Sequence, residues 1–222
     1  MPRREALRVT GREAVGPYVL LRVARGALDP GVPGQFFMLS PPGVPLPRAM
    51  SLCLTPRGEL AFLFEVVGRG TRALAELVPG DGLTVLGPLG NGFRLDVRRP
   101  LLVGGGVGVA PLPYLAAALH EPRLVVGFRS AFHAEAAQLL PPEAEVVIDP
   151  VLVTDVLPPG HDVLACGPEP MLEAVRELEP DAQLAWEAPM ACGYGACYGC
   201  AVEIEGEWKR LCVEGPVLSA AA

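Results

Sequence analysis

The sequence predicts a multidomain α+β chain. An N-terminal antiparallel β-barrel is followed by an α/β domain with a parallel sheet and then by a small cysteine module. Three observations predict it. Up to about Leu95, short apolar runs are separated by Gly, Pro and Asp, as in a small barrel or sandwich. From Pro100, strand-like and helix-like runs alternate, the pattern of a parallel sheet with right-handed crossovers. After Pro180 that regularity stops, and four of the six cysteines fall between Cys192 and Cys212. The expected divisions are residues 1–98, 99–180 and 181–222.

The elements follow in order. Residues 13–25, 34–41, 48–56, 58–68 and 81–90 read as strands bounded by turn residues. One helical piece, TRALAELVPG at 71–80, interrupts them, with Thr71 as the expected N-cap, Ala73, Leu74 and Leu77 as its buried stripe, and Pro79–Gly80 as its stop. In the second part, residues 101–120 read as a buried strand, a glycine turn and a helix. Residues 123–128 read as a strand, 130–140 as a helix, 145–149 as a strand, 161–168 as a strand ending in a turn, and 170–180 as a helix.

Composition bounds the function. With 222 residues, half of them hydrophobic, the chain can build two modest cores and a module. A net charge of −7 with scattered acidic residues and no basic face argues against nucleic acid. The first residues alternate and are punctuated by Gly and Pro, so neither a signal peptide nor a membrane span is expected. A reducing cytoplasm is the expected compartment, and it suits free thiolates. Lys209 is the sole lysine and Asn91 the sole asparagine, beside 25 prolines. Thermophile proteins and GC-rich genomes share such a composition.

The strongest motif is the cysteine stretch. Cys192, Cys197 and Cys200 are spaced C-x4-C-x2-C, and Cys212 follows after eleven residues. This is the plant-type ligand pattern of a [2Fe–2S] cluster. Thiolates must reach two irons from several directions, so the chain has to curl tightly. Gly193, Gly195 and Gly199 permit that, and amides freed by such a loop can point at sulfur. Structural zinc would instead show two short cysteine pairs. Disulfides require an oxidising compartment. Four idle core cysteines would leave the interleaved glycines unexplained.

Two turns suggest a nucleotide. Gly104, Gly105, Gly106 and Gly108 follow a strand and open a helix, where backbone N–H groups can face a pyrophosphate. The alternative is a turn that merely packs well. Cys166, Gly167 and Pro168 repeat the geometry at a later strand end, with Cys166 either facing a nicotinamide or serving as a small buried hydrophobe. In the β-rich part, Arg48, Ala49, Met50 and Ser51 start a strand. Arg48 can fork onto a phosphate, or be an ordinary exposed charge. Gly70 and Thr71 could meet a further phosphate oxygen, or simply cap a helix. Arg129–Ser130 follows the second α/β strand, where a 2′-phosphate could be met; the alternative is a solvated helix start capped by Ser130. Cys53 reads as core, and His120, His133 and His161 have no evident companions.

Taken together, RAMS, GRGT, GPLGNGF, GGGVGVAPL, ACGPEPML and M-x-C-G-x-G-x-C-x-x-C…C-x-E-G-P-V resemble the electron-transfer subunit of the two-component, NAD-dependent dihydroorotate dehydrogenase, over almost the whole chain. The resemblance implies a ferredoxin–NADP reductase-like core, with FAD on the barrel, a nicotinamide nucleotide on the α/β domain and one [2Fe–2S] cluster at the C-terminus. It puts flavin contacts on Arg48, Ala49, Met50 and Ser51, on Leu63, Phe64 and Glu65, and on Gly70 and Thr71. Cluster ligands fall on Cys192, Cys197, Cys200 and Cys212. NAD falls on Gly104 to Gly108 and on Cys166, Gly167 and Pro168. Three positions depart from the family pattern. Ala49 stands where Pro is common, Phe64–Glu65 where Tyr-Arg is common, and the segment between Ile148 and Thr154 is shortened.

The resemblance also implies a role and a partner. Dihydroorotate would reduce FMN in a separate catalytic subunit, and electrons would pass singly through the cluster to FAD and on to NAD⁺ as hydride, in pyrimidine biosynthesis. The implied assembly is a heterotetramer of two plus two; Tyr194 and Tyr198, apolar residues around the cysteines, are candidates for the interface because one cluster edge must face the acceptor. The competing readings are a reductase subunit for a hydrogenase, transhydrogenase or oxygenase, and a non-catalytic redox sensor.

Overall fold

The computed structural model describes residues 1–219 apart from Arg57 and Glu205. The first part is a six-stranded antiparallel sheet made by β1 (Arg3–Val15), β2 (Tyr18–Ala24), β3 (Phe36–Ser40), β4 (Arg48–Ser51), β5 (Glu59–Glu65) and β6 (Gly82–Leu89), in the order β4-β3-β6-β1-β2-β5. The chain beyond β4 returns to β5, where Cys53 N–H donates to Ala61 O and Ala61 N–H donates to Leu54 O, each at 2.9 Å. This contact nearly closes the sheet into a barrel. β1 begins ten residues before the first expected strand. Of its first ten residues only Leu7 and Val9 are buried, so the apolar alternation there is too short to mark a strand.

Helix α1 (Arg69–Ala75) covers one end of the barrel. Its N-cap is Gly68, not Thr71. Thr71 is the third helical residue, and its Oγ1 accepts the N–H groups of Val67 and Gly68 at 3.0 and 3.1 Å. The hydroxyl thus caps backwards, and the helix start lies three residues earlier than expected.

The second sheet contains β7 (Pro100–Gly105), β8 (Arg123–Phe128), β9 (Glu145–Ile148), β10 (Asp162–Cys166), β11 (Gln183–Ala185) and β14 (Val217–Ser219), in the order β14-β11-β10-β7-β8-β9. Its strands are parallel except β14, which runs antiparallel to β11. Helices α2 (Leu112–Ala117), α3 (Ala131–Ala134) and α4 (Glu169–Leu178) connect it. The run expected as one helix at 130–140 is α3 followed by a 3-10 turn over Glu135–Leu139. β12 (Ala201–Ile204) and β13 (Glu207–Arg210) form a separate hairpin between the third and fourth ligand-pattern cysteines.

The expected division at residue 180 precedes two strands, β11 and β14, that belong to the second sheet. The cysteine loop and hairpin are therefore an excursion from that sheet, not a tail. Burial agrees. One core joins barrel residues Tyr18, Cys53 and Leu63 to Leu102, Leu112 and Val126 of the second part. Another joins Phe36, Met38 and Leu89 of the barrel to Leu184, Trp186, Cys200 and Cys212. A third lies inside the barrel. Buried Gln183 ties β11 to the barrel's outgoing chain, accepting Arg94 N–H at 2.7 Å and donating to Arg94 O at 3.1 Å. Among the described residues, no helix is long and apolar enough to cross a membrane.

Candidate functional site

The sheet order reverses between β7 and β10, because the chain lays β8 and β9 on one side of β7 and then returns to the other. Ligands in open α/β sheets bind outside the carboxyl ends of strands at such a switch point. A cavity of about 540 Å3 opens there. Gly105 to Gly108, Gly127 to Arg129, and Gly167–Pro168 line it, together with residues 151–154 and, from the barrel, Tyr18 and Glu65.

The two glycine turns touch. A Cβ on Gly108 would meet the Cys166 carbonyl and lie 2.5 Å from Gly167 Cα; one on Gly105 would lie 2.5 Å from Met171 Sδ. Gly106, with φ of +54°, has open space on its side-chain face. A backbone this bare lets a ligand's polar groups approach the amides, so the residues fit a dinucleotide. Gly104 lies behind them, facing Leu112 and Val126 in the core. Cys166 does not line the cavity. Its thiol packs against the shared core, and burial, with Glu187 adding, pushes its pKa up to about 12.

Several wall residues were not among the expected site residues. Tyr18, His133, Met171 and Glu187 all face the cavity. Tyr18 and His133 meet edge to face at 5.9 Å. Burial, followed by the Glu65 carboxylate, raises Tyr18 to about 12 against the opposing pull of Arg129. Ser130 does cap α3 by position, and its Oγ lies 2.8 Å from His133 Nδ1. That one-turn spacing was the available clue to His133.

On the barrel, the structure brings Arg48 and Gly70 together. The guanidinium lies so close over Gly70 that a Cβ there would overlap it. Arg48 Nη1 also donates to the carbonyls of Leu46 and Pro47 at 2.9 and 3.0 Å. The charge is thus aimed beside the start of α1, an arrangement that fits an anionic group of a cofactor. Ala49, Met50 and Ser51 continue the same half-exposed strand. Leu63 and Phe64 are buried in the core, so only their backbones could meet a ligand. Glu65 is the first side chain of that strand end to emerge.

The four cysteines are all free and resolve into two pairs. Cys200 and Cys212 are buried, with their sulfurs 3.1 Å apart. Cys192 and Cys197 lie nearer the surface, and the Cys197 side chain helps to favour the Cys192 thiolate. Gly195 N–H donates to Cys212 Sγ at 3.1 Å, and Gly199 N–H to Cys197 Sγ at 3.5 Å. Burial opposes the thiolate of Cys192, but the amides of Tyr194, Cys197 and Ala196 outweigh it and bring the pKa to about 6. Among the described residues, no group of three or more His, Cys, Asp or Glu converges as one metal ion would need. Two thiol pairs with amides aimed at sulfur fit a two-iron cluster better than a single tetrahedral ion.

The loop that carries these cysteines is pinned to the barrel. Asn91 Nδ2 donates to Val213 O and Glu214 O at 3.2 and 2.9 Å, and Asn91 N–H to Gly215 O at 2.6 Å. Arg210 pairs with Glu214 at 2.7 Å and lies 5.1 Å from the ring centre of Tyr198. Tyr194, Tyr198 and Trp208 are exposed around it.

Residues 187–222 match the family model described as the iron-sulfur cluster binding domain of dihydroorotate dehydrogenase B. The chain is similar to the dihydroorotate dehydrogenase B (NAD(+)) electron transfer subunit of Caldanaerobacter subterraneus subsp. tengcongensis, at 37% identity over 210 residues, 83% of this chain and 84% of that one. A second such subunit, from Geobacillus sp. (strain WCH70), is 35% identical over 256 residues, 99% of this chain and 98% of that one. The fold is shared with an NADH-dependent reduced ferredoxin-NADP oxidoreductase, with a TM-score of 0.82, 23% identity, and coverage of 97% of this chain and 88% of that chain. With barrel, switch-point cavity and cysteine loop joined as described, the chain belongs to the family of dihydroorotate dehydrogenase B (NAD(+)) electron transfer subunits.

Proposed function

We propose that this chain is an NAD-linked flavin and iron–sulfur oxidoreductase subunit. It passes electrons between a nicotinamide nucleotide and a partner dihydroorotate dehydrogenase subunit that carries FMN, in the cytoplasm. The supporting observation is the placement of the cysteine loop on the barrel. Gly193 packs against Met38, with only 2.6 Å between Met38 Cγ and the place its Cβ would take. Met38 is the cross-strand partner of Ala49 in the Arg48–Ser51 strand. The thiol loop therefore lies one strand from the segment proposed to hold FAD, and the cavity lies on the barrel's other contact with the second sheet.

The roles divide by residue. Arg48 would neutralise the flavin's phosphate charge, while Ala49 to Ser51, Gly70, Thr71 and the backbones of Leu63 to Glu65 hold its position. The turns at Gly105 to Gly108 and Gly167–Pro168 would take the dinucleotide. Cys192, Cys197, Cys200 and Cys212 would hold the cluster, with the Gly195 and Gly199 amides tuning its sulfurs. When bound, nicotinamide exchanges a hydride, a cluster exchanges one electron and a flavin does either, so a flavin belongs between them. Residues 1–98, the second sheet and the cysteine loop are the corresponding units. The FMN barrel, a fold of about 250 residues, would be carried by the partner subunit.

The experiment is co-purification with an FMN-barrel subunit, followed by assay of dihydroorotate-dependent NAD⁺ reduction. Activity that needs both chains supports the proposal. A stable complex with a different redox partner, and none with the FMN subunit, would replace it.

A further inference from the structure

Glu65 and Arg129 come from different parts of the chain and meet at the cavity wall, with Arg129 Nη2 3.1 Å from Glu65 Oε1. Arg129 Nε is also held, donating to His133 Nε2 at 2.6 Å. Arg129 follows the second strand of the parallel run, at the end of β8. In doubly wound sheets an arginine near that strand end accommodates a 2′-phosphate, whereas an acidic residue takes the free ribose hydroxyls. Here both kinds of residue are present, bound to each other. The other charged side chains on the cavity wall, Asp149 and Glu187, are carboxylates.

We propose that Glu65, a barrel residue, determines nucleotide choice by holding Arg129 away from a 2′-phosphate. A dianionic phosphate reaching Arg129 must either displace the Glu65 contact or sit beside the Glu65 carboxylate on the same guanidinium. A ribose carrying two hydroxyls does neither. Discrimination against 2′-phosphorylated dinucleotides is thus built across the domain contact and not within the α/β domain. The inference rests on reading the cavity as the nucleotide site.

The test uses the holoprotein and two probes, 5′-AMP and adenosine 2′,5′-bisphosphate, with affinities measured calorimetrically. The ratio of the two affinities is the readout. Glu65→Gln should shift that ratio about tenfold toward the bisphosphate, the scale of one hydrogen bond to a charged group. Adding Arg129→Gln should reverse the shift. Arg129→Gln alone should move the ratio less than twofold, because the Glu65 carboxylate already offsets the guanidinium charge; this variant carries the test if Glu65→Gln fails to fold. An unchanged ratio in Glu65→Gln, a gain that survives in the double variant, or a large loss in Arg129→Gln alone would each overturn the proposal. Failure of 5′-AMP to bind the unaltered protein would instead overturn the nucleotide-site reading beneath it. Binding of 5′-AMP with an unmoved ratio would overturn only the role of Glu65.

Discussion

Gly105, Gly108 and Gly167 at the cavity, and Gly193 and Gly195 in the cysteine loop, meet different physical demands. None of the first three has a left-handed backbone, yet a Cβ on any of them would collide with Met171, Cys166 or Gly167. Two backbones must touch there, so the glycine supplies absence of volume. Gly193 and Gly195 have φ of +81° and +84°, where side chains are strained whatever the space. Here glycine supplies a chain direction, one that aims the Gly195 amide at Cys212 Sγ. One loop is built to leave a surface bare, the other to turn donors inward.

The sharpest way to break this comparison is to empty the inward-turned loop. Cys197→Ala should remove the cluster and reduce electron transfer to the partner to background, while flavin reduction by NADH persists. Parallel stopped-flow measurements would read both. Equal loss of the two rates would mean that the thiols only staple the fold and that the two loops are not functionally separate.

The next effect belongs to the packed loop. Gly108→Ala should cost about 2–3 kcal/mol of stability, since its Cβ meets backbone that cannot swing aside. It should also weaken NADH binding; urea titration and nucleotide titration check the two parts. Gly195→Ala should cost less, about 1–2 kcal/mol for the left-handed conformation. Val213 Cγ2, 2.7 Å from the new Cβ, is a side-chain end that can yield. Its signature should be spectroscopic, a shifted cluster reduction potential with nucleotide affinity preserved. If Gly195→Ala damages nucleotide binding as much as Gly108→Ala does, the two loops are coupled.

How much of this was legible depends on whether the cause was local. The C-x4-C-x2-C spacing, the glycine turns and most of the strands are local patterns, and the sequence carries them. β11 and β14 are three-residue strands fixed by pairing with distant partners, and no short-range signal marks them. Thr71 was readable as a capping residue, but whether it caps forwards or backwards depends on the tertiary position of the barrel end. Glu65 and Arg129 are 64 positions apart, so their contact exists only after the sheets pack. The departure at Glu65 was visible as a charge reversal, but its partner was not.

A smaller effect serves as a control on backbone devices outside both loops. Asp162 accepts the N–H groups of Arg98 and Arg99 at 2.8 and 2.9 Å, and those bonds, Arg99 first, hold its carboxyl below the ordinary range. A lowered folded pKa gives stability that is present above the unfolded value near 4 and is lost as pH falls through the folded one. Asp162→Asn should therefore be slightly less stable than the unaltered chain at pH 7, and the gap should close in acid. Thermal melts across pH 2–7 would show it. Cluster content and nucleotide affinity should not move.

The central claim concerns what the paired thiols hold. Metal analysis after anaerobic reconstitution, combined with paramagnetic resonance during NADH reduction, addresses it directly. The account predicts two irons and labile sulfide per chain, with a one-electron signal that appears as NADH is consumed. Zinc in place of iron, or iron that stays silent while the flavin is reduced, would contradict it.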